Sequence, residues 1–233
     1  MIKVNGKGVS SGVATGVAFV LPTRLGMVTP REIIDPQAEI LRLRTVCKEY
    51  TAELDEIYNK TLLNRGDSIA NIFMAYSVAL NDGEITSNSE QTISQEHVNA
   101  EYAVYCEMKR LSQIFNDIED EYFRERCSDV ENICHELILR LMGVHAAIIL
   151  PEHYAKKQVV LVAEHLSPED IIALDKERIS GVVISCGNIC SHAVIICGAL
   201  GLPAVVHADT SKIFTGDFIT INGTSGEIIV NQL

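Results

Sequence analysis

Apolar and polar residues follow three different rhythms along the chain. From Val4 to Leu21, "VNGKGVSSGVATGVAFVL", short valine-rich runs are broken by glycine and serine, which predicts strands separated by turns. After Pro30 the period lengthens. Asp35-Pro36 reads as a helix cap followed by proline in the first turn, and Ile40, Leu43, Val46, Cys47, Tyr50, Leu54, Ile57 and Tyr58 recur at helical spacing. A second helix carries Ile69, Ile72, Phe73, Tyr76 and Leu80 and stops at Asn81 to Gly83. Shorter helical patterns start at Glu84. A longer one runs from about Asn99 through Val104, Met108, Leu111 and Phe115. The last, from Glu119 to Met142, carries Tyr122, Phe123, Val130, Ile133, Leu137 and Leu141, with Gly143 as its stop.

Beyond Leu150-Pro151 the strand rhythm returns. "VVLVA" (Val159 to Ala163), "GVVIS" (Gly181 to Ser185), "PAVV" (Pro203 to Val206), "FITI" (Phe218 to Ile221) and "EIIV" (Glu227 to Val230) are strand-like. Helical segments from Ser167 and from Ser191 lie between them. "LSPED" is a helix start: Ser167 caps, Pro168 takes the first position, and the acids favour the positive end of the dipole. The rhythm predicts a discontinuous α/β domain, 1–30 with 144–233, and an inserted all-α bundle over 31–143.

Composition narrows the function. Thirty-one acidic against 19 basic residues give a net charge of −12, with no Lys/Arg cluster of the kind that binds phosphate backbones, so nucleic acid is not the expected partner. The acid excess suits a basic protein partner. No apolar run approaches the roughly 20 residues that span a bilayer, and "MIKVNGKGVSSG" lacks the apolar core of a signal peptide. Seven cysteines, an odd number, suggest free thiols in a reducing cytoplasm rather than a disulfide framework.

The chemistry concentrates in "CGNICSHAVIICG", Cys186 to Gly198. Cys186, Cys190, His192 and Cys197 are zinc-binding residue types, but their spacing is not that of paired knuckles. There is no Cys-x-x-Cys for a redox pair. The third reading is a strand, a glycine-containing turn and a helix whose first turn carries Ser191 and His192. Helix amides and dipole favour an anion there, and an unprotonated, oriented imidazole is a competent nucleophile. Capping or packing is the plain alternative for such a histidine.

"GVVISCGNICSHAVIICGALGLPAVV", Gly181 to Val206, resembles the phosphohistidine signature of the phosphoenolpyruvate-utilising enzymes: Gly-Gly-x-Thr-Ser-His, a small-residue helix, then Leu-Pro-Ala. "LSPEDIIALD" is similar to that family's Leu-Thr-Pro-Ser helix start. "VSSGVATGVAF" and "DIEDEYFRERCSDVENICHELILRLMG" are similar to the opening strand and the helical region of enzyme I of the bacterial sugar phosphotransferase system. The resemblance covers nearly the whole chain. It implies a swivelling phosphohistidine α/β domain with a helical insert. It further implies a cytoplasmic phosphotransferase that passes phosphoryl from phosphoenolpyruvate, through His192, to a histidine of the carrier HPr, the first step of sugar uptake.

In that reading Ser191 assists His192, and Gly187, Asn188 and Cys190 support the phosphoryl group. HPr docks on Met74, Tyr76, Val78, Ala79, Glu84 and Arg126. No cofactor is expected in this chain; magnesium belongs with a phosphoenolpyruvate-binding C-terminal domain, the second expected partner, which this sequence lacks. Some positions depart from the pattern. Cys186 stands at the glycine-rich turn, Cys190 replaces threonine, Gly198 replaces arginine, and Ile171 replaces a threonine hydroxyl. The alternatives are a domain that binds HPr without transferring phosphoryl, and a zinc-binding module.

Overall fold

Asp35 opens the helical part of the chain by accepting hydrogen bonds at Oδ1 from the amides of Gln37 (3.0 Å) and Ala38 (3.1 Å). Proline at the next position costs nothing there, because its missing N–H would have had no helical acceptor. The structure, a computed structural model, describes residues 1–23, 26–118, 121–144, 147–186 and 192–231; of 116 and 121–126 it describes the backbone only. The chain divides into two compact units, Met1–Thr23 with Ala147–Leu233, and Arg24–Ala146.

The second unit holds α1 (Pro36–Arg65), α2 (Asp67–Asn81), α3 (Glu84–Glu96), α4 (Ala100–Asn116) and α5 (Glu121–Leu141). Helix α1 packs on α2, α3 on α4, and α4 on α5. The expected apolar spacing is the buried stripe: Ile40, Leu43, Cys47, Tyr50 and Leu54 on α1, and Ile69, Ile72, Phe73, Tyr76 and Leu80 on α2. Gly143, at φ +68°, ends α5: Val144 N donates to Leu139 O (3.0 Å) and Gly143 N to Arg140 O (3.0 Å), a Schellman pair.

Two arginines tie helices together. Arg42 donates to Glu39 (2.6 Å), Glu101 (2.9 Å) and the carbonyl of Leu141 (2.9 Å). The Arg42 hydrogen bond holds the Glu39 carboxyl below its usual range. Arg140 lies 3.7 Å over the Tyr50 ring and pairs with Glu136 and Glu53. Residues 26–30, given to the α/β domain by their texture, cluster with the helices instead. The next residues are held there: Arg31 N donates to Asn99 Oδ1 (2.8 Å), and Glu32 bridges Val98.

The first unit contains one eight-stranded sheet. Its strands are β1 (Ile2–Asn5), β2 (Lys7–Ser10), β3 (Val13–Val20), β4 (Val159–Ala163), β5 (Ile179–Ile184), β6 (Ala204–Val206), β7 (Phe218–Asn222) and β8 (Glu227–Asn231). They lie in the order β1-β8-β7-β3-β4-β5-β6-β2. The outermost strands, β1 and β2, are separated in sequence by Gly6 alone, so one N-terminal segment pairs with β8 on one edge and β6 on the other. The sheet thereby curls round a core of Val4, Ala14, Ala18, Val160, Val162, Val183, Val205, Ile219, Ile221, Ile228 and Val230.

Strands β3, β7 and β8 alternate buried and exposed, as antiparallel strands with one wet face do. The parallel β4 and β6 are buried throughout, and β5 nearly so. Two helices follow these parallel strands, α6 (Pro168–Ile172) after β4 and α7 (His192–Leu200) after β5, and they pack on each other. Among the described residues no helix is long and apolar enough to cross a membrane.

The curl forces backbones together. A Cβ on Gly223 would lie 1.8 Å from Ser10 O, one on Gly226 2.2 Å from Gly6 O, and one on Gly6 2.6 Å from Val206 O. Gly223→Ala is therefore expected to cost about 3 kcal/mol or more, the upper range of overpacking. Gly198, helical with nothing within 4 Å of its missing Cβ, gives the opposite sign: Gly198→Ala gains up to about 1 kcal/mol. Urea unfolding of both variants checks this, and a neutral Gly223→Ala contradicts the closure.

Candidate functional site

The ladder between β4 and β5 does not stop where the strands do. Ser185 N donates to Ala163 O and Cys186 N to Glu164 O, each at 3.0 Å. The segments leaving the two strands therefore start side by side, at the carboxyl ends of parallel strands, where open α/β sheets place their ligands. On the β4 side, Ser167 Oγ accepts from Asp170 N (3.1 Å) while Asp170 Oδ2 accepts from Ser167 N (3.1 Å), the reciprocal capping box the sequence predicts. Glu164 accepts from the Thr23 hydroxyl (2.8 Å).

On the β5 side, His192 is the first residue of α7. It is half-buried, with Nδ1 shielded from solvent. Helix α7 ends in a second Schellman pair: Leu202 N donates to Cys197 O (2.9 Å), Gly201 N to Gly198 O (3.0 Å), and Gly201 takes φ +62°. Capped at its far end and about 13 Å long, α7 points its positive end at the segment that carries His192. His165, Glu169, Asp170 and His192 all have interaction partners.

The other residues expected here are placed unevenly. Gly187, Asn188, Cys190 and Ser191 lie outside the described residues. Cys186 is exposed, so the side chain at the glycine-rich turn projects to solvent rather than into the fold. Ile171 is fully buried and supplies packing where a hydroxyl was expected by resemblance. Cys197 is buried on the inner face of α7, and burial pushes its thiol up to about 12. It is a packing thiol rather than a ligand or nucleophile. Among the described residues no group of three or more His, Cys, Asp or Glu is placed to hold a metal ion.

The residues expected to dock a carrier sit on the helical unit. Met74 and Val78 are exposed on α2, one helical turn apart, at 41% and 62%. Ala79 is half-buried. Glu84 is exposed and pairs with Arg110 at 3.1 Å. The side chain of Arg126 lies outside the described residues. Tyr76 corrects the expectation: at 1% exposure it cannot touch a partner. It falls three residues after Phe73 and four before Leu80, on the inward face of α2, with its hydroxyl donating to Asp129 (3.0 Å).

Sequence reasoning passed over Glu164, His165 and His207. Glu164 and His207 follow directly on apolar runs that become buried parallel strands and His165 comes one residue later, but that these strands end level shows only in their register.

The family model described as PEP-utilising enzyme, N-terminal, matches residues 5–126, more than half of the chain. The chain belongs to the PEP-utilising enzymes. A second model of that family, the mobile domain, matches residues 155–226, the stretch from the approach to β4 as far as the turn before β8. Among curated relatives, the phosphoenolpyruvate-protein phosphotransferase of Geobacillus stearothermophilus is 30% identical over 230 residues, covering 98% of this chain and 39% of its own length. That of Bacillus subtilis is 30% identical over 233 residues, with 99% and 40% covered. The chain thus spans about two fifths of the length of the curated relatives it matches.

Among solved structures, a solution NMR structure of an Enzyme I protein aligns with TM-score 0.71 at 28% identity, covering 98% of this chain and 92% of that one. A structure of the N-terminal domain of Enzyme 1 – Nitrogen aligns with TM-score 0.64 at 25% identity, over 97% and 93%.

The thiols give a check on this family member's departures. With Cys47, Cys134 and Cys197 buried and their thiols pushed up by desolvation, iodoacetamide at mildly alkaline pH should alkylate Cys186 and spare those three, as read by peptide mass spectrometry. Equal labelling of Cys197 contradicts the packing role.

Proposed function

We propose that this chain is the phosphoryl-carrying part of a phosphoenolpyruvate-protein phosphotransferase, with His192 as the transient acceptor and HPr as the protein that docks on the helical unit. The observation that carries the reading is the position of His192: half-buried at the start of α7, beside the carboxyl ends of buried parallel strands, inside the mobile-domain match.

The chemistry asked of the chain is modest. In exchange with phosphorylated HPr, a ring nitrogen of His192 attacks phosphorus. The donor's P–N bond breaks, its imidazole leaves with the electron pair and takes up a proton, and the newly phosphorylated His192 ring gives up one, so the exchange is proton-neutral. Donor and acceptor are both imidazoles, so the exchange is near thermoneutral, and the protein mainly aligns the groups and offsets the charge of the moving phosphoryl. The backbone amides at the start of α7 and its dipole are the charge-offsetting elements, with Ser191, Gly187, Asn188 and Cys190 as the supporting residues of this proposal. Phosphorylation from phosphoenolpyruvate itself needs a phosphoenolpyruvate-binding domain, with magnesium, working with this one.

Charge supports the choice of partner. Residues 24–146 hold 22 Asp and Glu against 12 Lys and Arg, while the remainder holds 9 against 7. The helical unit therefore carries most of the acid excess, and it also presents the exposed Met74 and Val78. A carrier with a basic rim and an apolar centre complements such a surface. Met74, Val78, Ala79, Glu84 and Arg126 are the proposed contacts, and Tyr76 shapes α2 from beneath.

Incubating the chain with phosphorylated HPr tests the reading. The chain should gain an acid-labile phosphoryl group, His192→Ala should gain none, and Val78→Asp should raise KM for phospho-HPr about tenfold with kcat little changed. Raising ionic strength should weaken docking. Binding of HPr with no phosphoryl uptake by the unsubstituted chain contradicts the carrier role and selects the alternative, a domain that docks without transferring.

A further inference from the structure

The segments that follow β4 and β5 contain no lysine or arginine, neither between Gln158 and Asp175 nor between Ile179 and Ser211, and the cation that the register brings to this end of the sheet is the exposed Lys7 of β2, opposite Val206. They do contain carboxylates: Glu164, Glu169, Asp170 and Asp209. Glu169 is 7% exposed, Glu164 accepts from Thr23, Asp170 closes the Ser167 capping box, and Asp209 accepts from Ser211. A dianionic phosphoryl group arriving on His192 enters a neighbourhood that is already acidic. The basic side chains available in these segments are three histidines, His165, His192 and His207.

The sheet brings the ends of the strands that precede all three level with one another. Register pairs Ala163 with Ile184 and Ile184 with Val206, so β4, β5 and β6 end level with one another. Neighbouring strands lie about 5 Å apart, so the three strand ends fall within about 10 Å. His165 comes two residues after the end of β4, His207 comes directly after the end of β6, and His192 opens the helix that follows β5. His165 is half-buried with Nε2 shielded from solvent. His207 is exposed and holds φ +54°, a left-handed conformation that glycine adopts freely and other residues adopt at about 1 kcal/mol or more. A side chain is kept where the backbone would favour none.

We infer that His165 and His207 are positioning residues for phosphoryl transfer: their ring N–H groups hold the phosphoryl oxygens on His192 and offset their charge. The inference rests on His192 as phosphoryl acceptor. An imidazole offers one N–H donor when neutral and two when protonated, so either form serves.

Single-turnover transfer from phosphorylated HPr to the full chain tests it, with His165→Gln, His207→Gln, the double variant, and His165→Lys as a charge-restoring variant. The double variant should lose about 100-fold in the transfer rate constant, the scale of removing preorganised donors from a developing anion. KM should stay within about twofold, thermal unfolding should be unchanged, and His165→Lys should transfer faster than His165→Gln. His207→Gly relieves the backbone while removing the ring, so its slower transfer with equal or higher stability separates a positioning role from a structural one. Transfer by the double variant at the unsubstituted rate, or a loss confined to KM or to stability, overturns the inference. Uptake by none of the chains, the unsubstituted one included, removes the carrier reading and this inference with it.

Discussion

The α/β unit depends on one short N-terminal segment serving both edges of its sheet. Strand β1 pairs with β8, strand β2 pairs with β6, and Gly6 is the single residue between them. With both ends of the strand order occupied by the same segment, the sheet curls on itself, and its interior fills with β-branched residues and alanine. The cost falls on glycines. Gly6, Gly8, Gly223 and Gly226 stand where backbones approach too closely for any side chain. Closure holds β4, β5 and β6 in register, and that register brings their carboxyl ends level.

The division of labour between the two units follows from charge and texture. The α/β unit is nearly neutral, and its site is built from strand ends, a capped helix and imidazoles. The helical unit is strongly acidic, cross-tied by Arg42 and Arg140, and exposes an apolar pair on α2. Recognition of a basic carrier and custody of a phosphoryl group make opposing electrostatic demands. The first wants carboxylates at the surface; the second wants none near the acceptor without a compensating donor. In the proposed function, separate units meet both demands.

Much of this was legible in the chain because local chemistry and global fold agree. Asp35-Pro36, Ser167-Pro168 and Gly143 mark helix ends by capping geometry, and each does so in the structure. Core stripes on α1 and α2 follow the 3.6-residue period. Tyr76 carried two expectations, core by its spacing from Phe73 and Leu80 and carrier contact by resemblance, and its burial agrees with the spacing. The double use of the N-terminal segment was not legible, since pairing with β8 and β6 is a long-range choice and Gly6 resembles any turn glycine. Nor were the histidine placements at 165 and 207. They acquire meaning only once β4, β5 and β6 are known to end level.

The central claim is that the phosphoryl group resides on His192 and not on a thiol nearby in the sequence. Electron-transfer fragmentation of the chain, phosphorylated by phospho-HPr and kept at alkaline pH, locates the group directly. The account predicts a single added phosphoryl on His192 within the peptide spanning residues 186–198. A phosphoryl located on Cys186 or Cys190, or on any residue outside that peptide, contradicts it.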